Sequence, residues 1–274
     1  MTDNLGRKAE EMFGIKADPD DIEKLRAYIR DTYGGEDQSI IDKVFSSGEV
    51  MNFLTVNETY FFREPAHFSL LWDILPSYEK TGIHICCAAV ATGCEAYSVA
   101  MMIEAFNRIS ERPLSYHIDA FDINPRVIET ACRGVYSPRA LRDDGSSFRH
   151  MTEPYLKKNE YEYVIETALK ENIRFFVHNL MDELSADMYD LVFFRNAFIY
   201  FLPRSRGKVI ANLSNILKGN GILLLGVSET AGAHNACFEA GFDEKCRKDV
   251  FYFQKKSQSA KALFTEQEFH NKIE

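Results

Sequence analysis

An α/β fold, with a largely parallel sheet layered between crossover helices, is what this chain predicts, and three observations carry that reading. From about residue 83 onward, short apolar runs alternate with helix-patterned segments. The first 56 residues carry apolar positions at helical spacing, and between 135 and 172 the alternation stops, as an inserted small subdomain would make it do. At 274 residues, 46% of them hydrophobic and 27% charged, the chain can build one large domain and a small neighbour.

Residues 7–13 and 20–30 have helical spacing. In the second, Ile22, Leu25, Tyr28 and Ile29 share one side, and Asp20 or Asp21 can cap the start. Gly34-Gly35 breaks that helix, Ser39 to Phe45 makes another short apolar turn, and Ser46-Ser47-Gly48 leads toward the aromatic stretch Asn57–Arg63. A boundary near residue 65 is expected from the change of pattern. The predicted division is a helical N-terminal domain over 1–56, a second domain over 57–256 with 135–172 inserted, and a tail over 257–274.

The alternating part runs as a strand at Ile83–Ala89, a helix from about Ala96 to Ile109, a strand at Ser115–Phe121 and a helix from about Pro125 to Cys132. Later strands are predicted at Ile173–His178, Leu191–Phe194, Gly221–Val227 and Val250–Gln254, with a helix at about Arg204–Leu217. Within 135–172, Asp143-Asp144-Gly145-Ser146-Ser147 reads as a loop, and alternating Tyr161, Tyr163 and Ile165 as a short strand. The last twenty residues are polar, with an amphipathic patch around Ala262–Phe269 that suits a peripheral helix or a frayed tail.

A net charge of −9 and a sequence pI near 5.4 disfavour a nucleic-acid partner, which needs a basic face to displace counterions. Asp3, Glu10 and Glu11 interrupt any secretory-type start, and no run reaches the ~18 apolar residues of a membrane span. Six cysteines form no Cys-x-x-Cys pair and no zinc-like spacing with His84 or His234, so reduced thiols in a cytoplasm and no metal are expected.

Several residues sit where chemistry is done in such folds. In a doubly wound sheet, ligands bind outside the carboxyl ends of the strands. The loop Ala91–Ser98 follows the first strand, and its single glycine, Gly93, allows close backbone approach. Asp122 ends the second strand, where a carboxylate can grip two ribose hydroxyls or simply cap the next helix. Asn179-Leu180 follows the strand ending at His178. Arg195-Asn196 follows a strand too apolar to hold them in its core, so a buried Arg195 needs a carboxylate partner, either from the protein or from a ligand. The stretch Asn57–Arg63 sets an amide, a hydroxyl and a guanidinium (Asn57, Thr59, Arg63) among three aromatic rings, which a core strand would not do. No Gly-x-Gly-x-x-Gly is present, which argues against a dehydrogenase.

Asn57–Arg63, Ala91–Ser98 and Phe194–Phe201, together with Gly134-Val135-Tyr136 and Gly226-Val227-Ser228-Glu229, resemble the chemotaxis receptor methyltransferases, the CheR family of S-adenosylmethionine-dependent glutamate O-methyltransferases. The resemblance runs from about Asn57 to Thr230. It implies a Rossmann-like methyltransferase core with a helical N-terminal domain, an inserted small β-subdomain and final strands paired antiparallel. By the same resemblance, Asn57, Thr59, Arg63, Glu95, Asp122, Asn179, Leu180, Arg195 and Asn196 bind the cofactor, Glu95 at its ammonium group, Asp122 at its ribose and Asn179-Leu180 beside its adenine. Arg63, Arg195 and Tyr200 are then expected at the transfer step, with S-adenosylhomocysteine as product and the helical bundle of a chemoreceptor as partner.

The chain departs from the family pattern in three places. Cys94 and Ala96 stand in the loop where relatives carry Glu and Pro, which implies weaker cofactor binding. Tyr155 to Arg174 lacks the glycine-containing insertion of members that dock on a receptor's C-terminal pentapeptide, which implies a tether-independent type. Residues 1–56 carry seven Lys/Arg against twelve Asp/Glu, where chemotaxis members present a basic helical face. The alternatives are therefore a relative acting on another protein or a small carboxylate, and a cofactor-binding module without turnover.

Overall fold

The structure, a computed structural model, describes residues 4–257. The expected tail over 257–274, including the patch at Ala262–Phe269, lies outside the described residues apart from Ser257. Helix α1 (Asn4–Phe13) buries Leu5, Ala9 and Phe13 along one side. Helix α2 (Pro19–Tyr33) is capped by neither Asp20 nor Asp21. Pro19 suits the first helical position, where a missing N–H costs nothing, so capping passes to Asp18, whose carboxylate accepts from Asp20 N at 3.0 Å. Asp20 and Asp21 fall in the first turn, a favourable place for negative charge. Gly34 closes α2 in the left-handed region at φ 77. Helices α3 (Gln38–Ser46) and α4 (Met51–Leu54) complete a helical layer whose buried residues join Cys86, Phe121, Val192, Phe194 and Leu223 of the sheet in one apolar cluster.

Helix α5 (Pro65–Ile74) is absent from the predicted elements because it is apolar nearly all round and shows no stripe; Phe68, Leu70 and Leu71 are buried. Strand β1 (Ile83–Ala88), helix α6 (Cys94–Ile109), strand β2 (Tyr116–Asp122) and helix α7 (Pro125–Arg133) then follow within two residues of their expected bounds. The inserted segment folds as strand β3 (Val135–Tyr136), helix α8 (Arg149–Thr152), strands β4 (Leu156–Lys158) and β5 (Tyr163–Ile165), and helix α9 (Thr167–Lys170). Its three strands form their own antiparallel sheet in the order β3-β5-β4. Tyr161 lies before the strand and is exposed, and the expected loop at 143–147 is a 3-10 turn over Asp143–Phe148.

The main sheet is completed by β6 (Ile173–Val177), β7 (Tyr189–Phe194), helix α10 (Pro203–Ile216), β8 (Leu217–Leu225), helix α11 (Thr230–Glu239), β9 (Phe242–Arg247) and β10 (Val250–Lys255). Its seven strands run in the order β6-β2-β1-β7-β8-β10-β9; the first five are parallel and β10 is antiparallel to both neighbours. Strand β8 starts four residues before its expected start, because Leu217, expected to end the preceding helix, pairs with Tyr189 of β7 ahead of an irregular register that resumes at Leu191 and Ile222.

Candidate active site

Strand order reverses between β1 and β7: from β1 the chain steps outward to β2 and β6, while β7 and β8 lie on the other side. Such a reversal leaves a crevice at the carboxyl ends of the strands. A cleft of about 980 Å³, open to solvent, occupies that place. Asn57, Thr59, Arg63, Glu95, Asp122, Asn179, Leu180, Arg195, Asn196 and Tyr200 all line it.

The segment before α5 is anchored by its rings and faces the cleft with its polar groups. Phe61 packs edge-on against Tyr136 at 5.1 Å and Phe62 stacks on Phe148 at 5.0 Å, so the inserted subdomain clamps both buried rings. Phe62 N donates to Ser98 Oγ at 2.9 Å, which ties the segment to α6. Asn57 Oδ1 accepts from Thr55 Oγ1 at 3.1 Å. Arg63 donates to the Glu58 carbonyl at 3.0 Å and lies over the Tyr60 ring; among the described residues its guanidinium makes no other hydrogen bond and no ion pair.

The β1–α6 loop is strained. Ala89 (φ 56), Ala91 (φ 50) and Gly93 (φ 90) all sit in the left-handed region, and a Cβ on Gly93 would stand 2.8 Å from that of Ala131. The bend aims Ala91 N at Asp122 Oδ2, 2.9 Å away, while Asn124 N donates to Asp122 Oδ1 at 3.0 Å. Helix α7 is capped by Asn124, not by Asp122. Burial pushes the Asp122 carboxyl up against these backbone donors. Cys94 is buried beneath the loop, and its thiol is pushed up to about 12 by that burial, which makes it an inert packing residue.

Arg195 is buried between two protein carboxylates. Its Nη1 donates to Glu95 Oε2 at 3.0 Å and its Nη2 to Glu64 Oε2 at 3.2 Å, and Nη2 also donates to the Arg63 carbonyl. Of the two partners open from sequence, the protein carboxylates are the ones it has. Burial raises Glu95 to about 7, with Arg195 opposing and Glu64 adding to the rise. Burial would raise Glu64 as well, but His67 at 3.2 Å, Arg195 and Asn196 outweigh it and hold that carboxyl well below the usual range. Asn179 has the bonding of a turn residue: its Nδ2 donates to the Met12 carbonyl at 2.9 Å, and its Oδ1 accepts from Met181 N at 3.0 Å. Tyr200 ends a 3-10 turn, with its carbonyl accepting from Lys16 N at 2.9 Å.

Three residues here were given no role by sequence reasoning: Glu64, His67 and Glu229. The signal for Glu229 was the motif Gly226-Val227-Ser228-Glu229 itself; for Glu64 it was a carboxylate directly after Arg63. Among the described residues, no cluster of three or more His, Cys, Asp or Glu is placed to hold a metal, and no helix is long and apolar enough to cross a membrane.

This geometry corresponds to a known domain. Residues 57–245 match the family model described as CheR methyltransferase, SAM binding domain. The chain belongs to the CheR family. The "Chemotaxis protein methyltransferase" of Vibrio parahaemolyticus is 33% identical over 204 residues, covering 73% of each chain. The protein of the same description from Borreliella burgdorferi is 31% identical over 193 residues, covering 66% of this chain and 67% of its own. The "Probable biofilm formation methyltransferase WspC" of Pseudomonas aeruginosa is 29% identical, over 84% of this chain and 57% of its own. CheR-family domains of this kind bind S-adenosylmethionine and carry out methyl transfer from it. The residues present fit that cofactor. Arg195 Nε is a buried donor without a hydrogen-bond partner among the described residues, Asp122 keeps free lone pairs at a strand's carboxyl end, and Glu95 opens a helix at the switch point.

Proposed function

We propose that the protein methylates glutamate side-chain carboxylates of chemoreceptors, giving glutamate methyl esters and S-adenosylhomocysteine. The observation that carries this reading is the division of labour between two guanidiniums. Arg195 is committed to Glu64 and Glu95, whereas Arg63 stands half-buried on the cleft wall, feels the charge of Glu95 and makes no ion pair among the described residues. Arg63 is the cation left to orient an incoming carboxylate. The names of the relatives from Vibrio and Borreliella support a receptor as the source of that carboxylate.

S-adenosylmethionine, when bound, supplies a methyl group on a sulfonium. Glu95 holds the ammonium, Asp122 the ribose hydroxyls, and the Asn179-Leu180 turn flanks the adenine, while Asn57, Thr59 and Asn196 line the remainder. A glutamate is already ionised at neutral pH, so the chain needs no strong general base and works by alignment and by keeping water out. Arg63 fixes the acceptor, Tyr200 walls the path to it, and Arg195 acts on the site through Glu95. The reading includes a cytoplasmic location and docking on the receptor's helical bundle without a pentapeptide tether.

The excess of acidic residues in 1–56 favours a second reading, an acceptor other than an acidic receptor bundle. One assay separates the two. Purified protein and cofactor are incubated with receptor cytoplasmic fragments, and methanol released by mild base is counted. The expected result is ester formation that depends on the fragment and falls about a hundredfold in Arg63→Ala, the usual scale for losing a charged positioning group. No ester on any receptor fragment, from protein that binds S-adenosylhomocysteine, would transfer the assignment to the second reading.

A further inference from the structure

Glu64 and Glu229 meet at one backbone corner. Glu229 is 1% exposed, and its carboxylate accepts from Asn196 N at 2.6 Å, Gly226 N at 2.9 Å and Ile199 N at 3.2 Å, pinning the turn after β7 to the end of β8. Glu64 reaches the same corner from the other side. It accepts from Asn196 Nδ2 at 3.0 Å, Arg195 Nη2 at 3.2 Å and Val227 N at 3.3 Å. The corner is held against backbone preference: Asn196 lies at φ 58 and Glu64 itself at φ 58, two non-glycine residues in the left-handed region, each at a cost of ~1 kcal/mol or more.

We propose that Glu64 is a positioning residue of the methyltransferase site: with Glu229 it fixes Arg195 and Asn196, and it acts on Glu95 through Arg195. The inference rests on the reading that Glu95 faces the cofactor's ammonium group. The guanidinium lies between two carboxylates that compete for it, so the place and charge of one depend on the other. An ion pair that only held the fold together would not couple to cofactor binding. The charged groups facing Glu95 are Arg195 and Arg63, which oppose its protonation, and Glu64, which favours it. On β1 the thiols of Cys86 and Cys87, on opposite faces of the sheet, also interact with Glu95 and are kept neutral by burial. Behind Glu64 on α5 is His67, whose pKa burial lowers, so it too is neutral around pH 7.

Cofactor binding through an ionised Glu95 then falls as pH drops through about 7. Replacing Glu64 by a neutral residue removes one negative neighbour and gives Glu95 sole claim on Arg195, so the midpoint must move to lower pH. The test is calorimetric titration of the full chain with S-adenosylhomocysteine between about pH 5.5 and 7.5, with Tm measured alongside. For wild type, affinity is expected to fall up to about tenfold per pH unit below the midpoint; Glu95→Gln should flatten the profile. Glu64→Gln should shift the midpoint acidward and weaken binding several-fold at pH 7.5, while Glu64→Asp keeps the charge and the midpoint. A Glu64→Gln protein with an unshifted profile, whatever its Tm, would overturn the proposal. If that variant does not fold, Glu64→Asp with an acid-shifted midpoint does the same. A wild type that binds at every pH with no slope would refute the role of Glu95, and one that binds nothing would refute the cofactor site itself.

Discussion

Replacing Gly226 by alanine tests the corner around Asn196 while leaving Glu95, Asp122 and Arg63 unaltered. A Cβ at 226 would stand 2.6 Å from Glu229 Oε2, 2.8 Å from Asn196 Nδ2 and 3.0 Å from Asn196 N. Ordinary contact begins near 3.4 Å, so Oε2 must give way by about 0.8 Å. That oxygen accepts at 2.6 and 2.9 Å from two backbone N–H groups, and a retreat of that size takes both bonds to the limit of hydrogen-bond range. Overpacking of this kind costs about 1–3 kcal/mol, or ~2–4 °C in Tm for each kcal/mol in a chain of this size. Because Asn196 and Arg195 move with the corner, affinity for S-adenosylhomocysteine should fall at least tenfold, about 1.4 kcal/mol. Gly232→Ala is the control: it lies in α11 with nothing within 4 Å of a new Cβ, and should be neutral or stabilising by about 0.5–1 kcal/mol. The assay is thermal unfolding with calorimetric titration of all three proteins. Wild-type Tm and affinity in Gly226→Ala would refute the claim that Glu229 and Asn196 leave no room there.

Asp122→Ala should lose S-adenosylhomocysteine affinity by at least a hundredfold, since two hydrogen bonds to a charged acceptor are worth about 1.5–3 kcal/mol each; Asp122→Asn should fall between, and titration ranks the three. Glu95 carries a sign for stability as well. Its carboxyl is raised to about 7 in the folded chain, so the folded state holds its proton longer and this group's contribution to stability declines as pH rises from the ordinary carboxylate range to about 7. The Tm of Glu95→Gln relative to wild type should therefore improve between about pH 5 and 7.5, and a constant difference would contradict that. Thiol-specific alkylation followed by mass spectrometry should label exposed Cys132 and Cys246 long before buried Cys94, whose thiol is pushed up to about 12; early modification of Cys94 would make it a reactive position after all.

The parallel strands were legible because strands covered on both faces read as continuous apolar runs, as Ile83–Ala88 and Tyr189–Phe194 do. Helix α11 was not, because alanines and Gly232 give it no apolar stripe, and β9 was not, because Asp243, Glu244 and Lys245 make it look like loop. Cleft residues stood out where polar groups interrupt apolar surroundings, as in Asn57–Arg63 and Arg195-Asn196. Their bonding did not. Whether Arg195 met a ligand or a protein carboxylate turned on Glu64 and Glu95, which lie 131 and 100 residues away in the chain. Such a pairing is set by how β1, β7 and the segment before α5 converge, and no local pattern encodes it.

The loop between α1 and α2 forms an isolated antiparallel bridge with the loop that carries Tyr200, Ile15 pairing with Phe201. Lys16 N donates to the Tyr200 carbonyl at 2.9 Å and Leu202 N to the Gly14 carbonyl at 2.8 Å, while Phe13, Ile15, Met51 and Leu54 line the same cleft as Asp122. The helical layer is therefore a wall of the reaction vessel as well as a neighbour to it. Cutting the chain at residue 56 to isolate the methyltransferase part would open the cleft along that side and release the backbone of Tyr200. A force or partner that tilts the helices reaches the loop that carries Tyr200 through three residues of main chain.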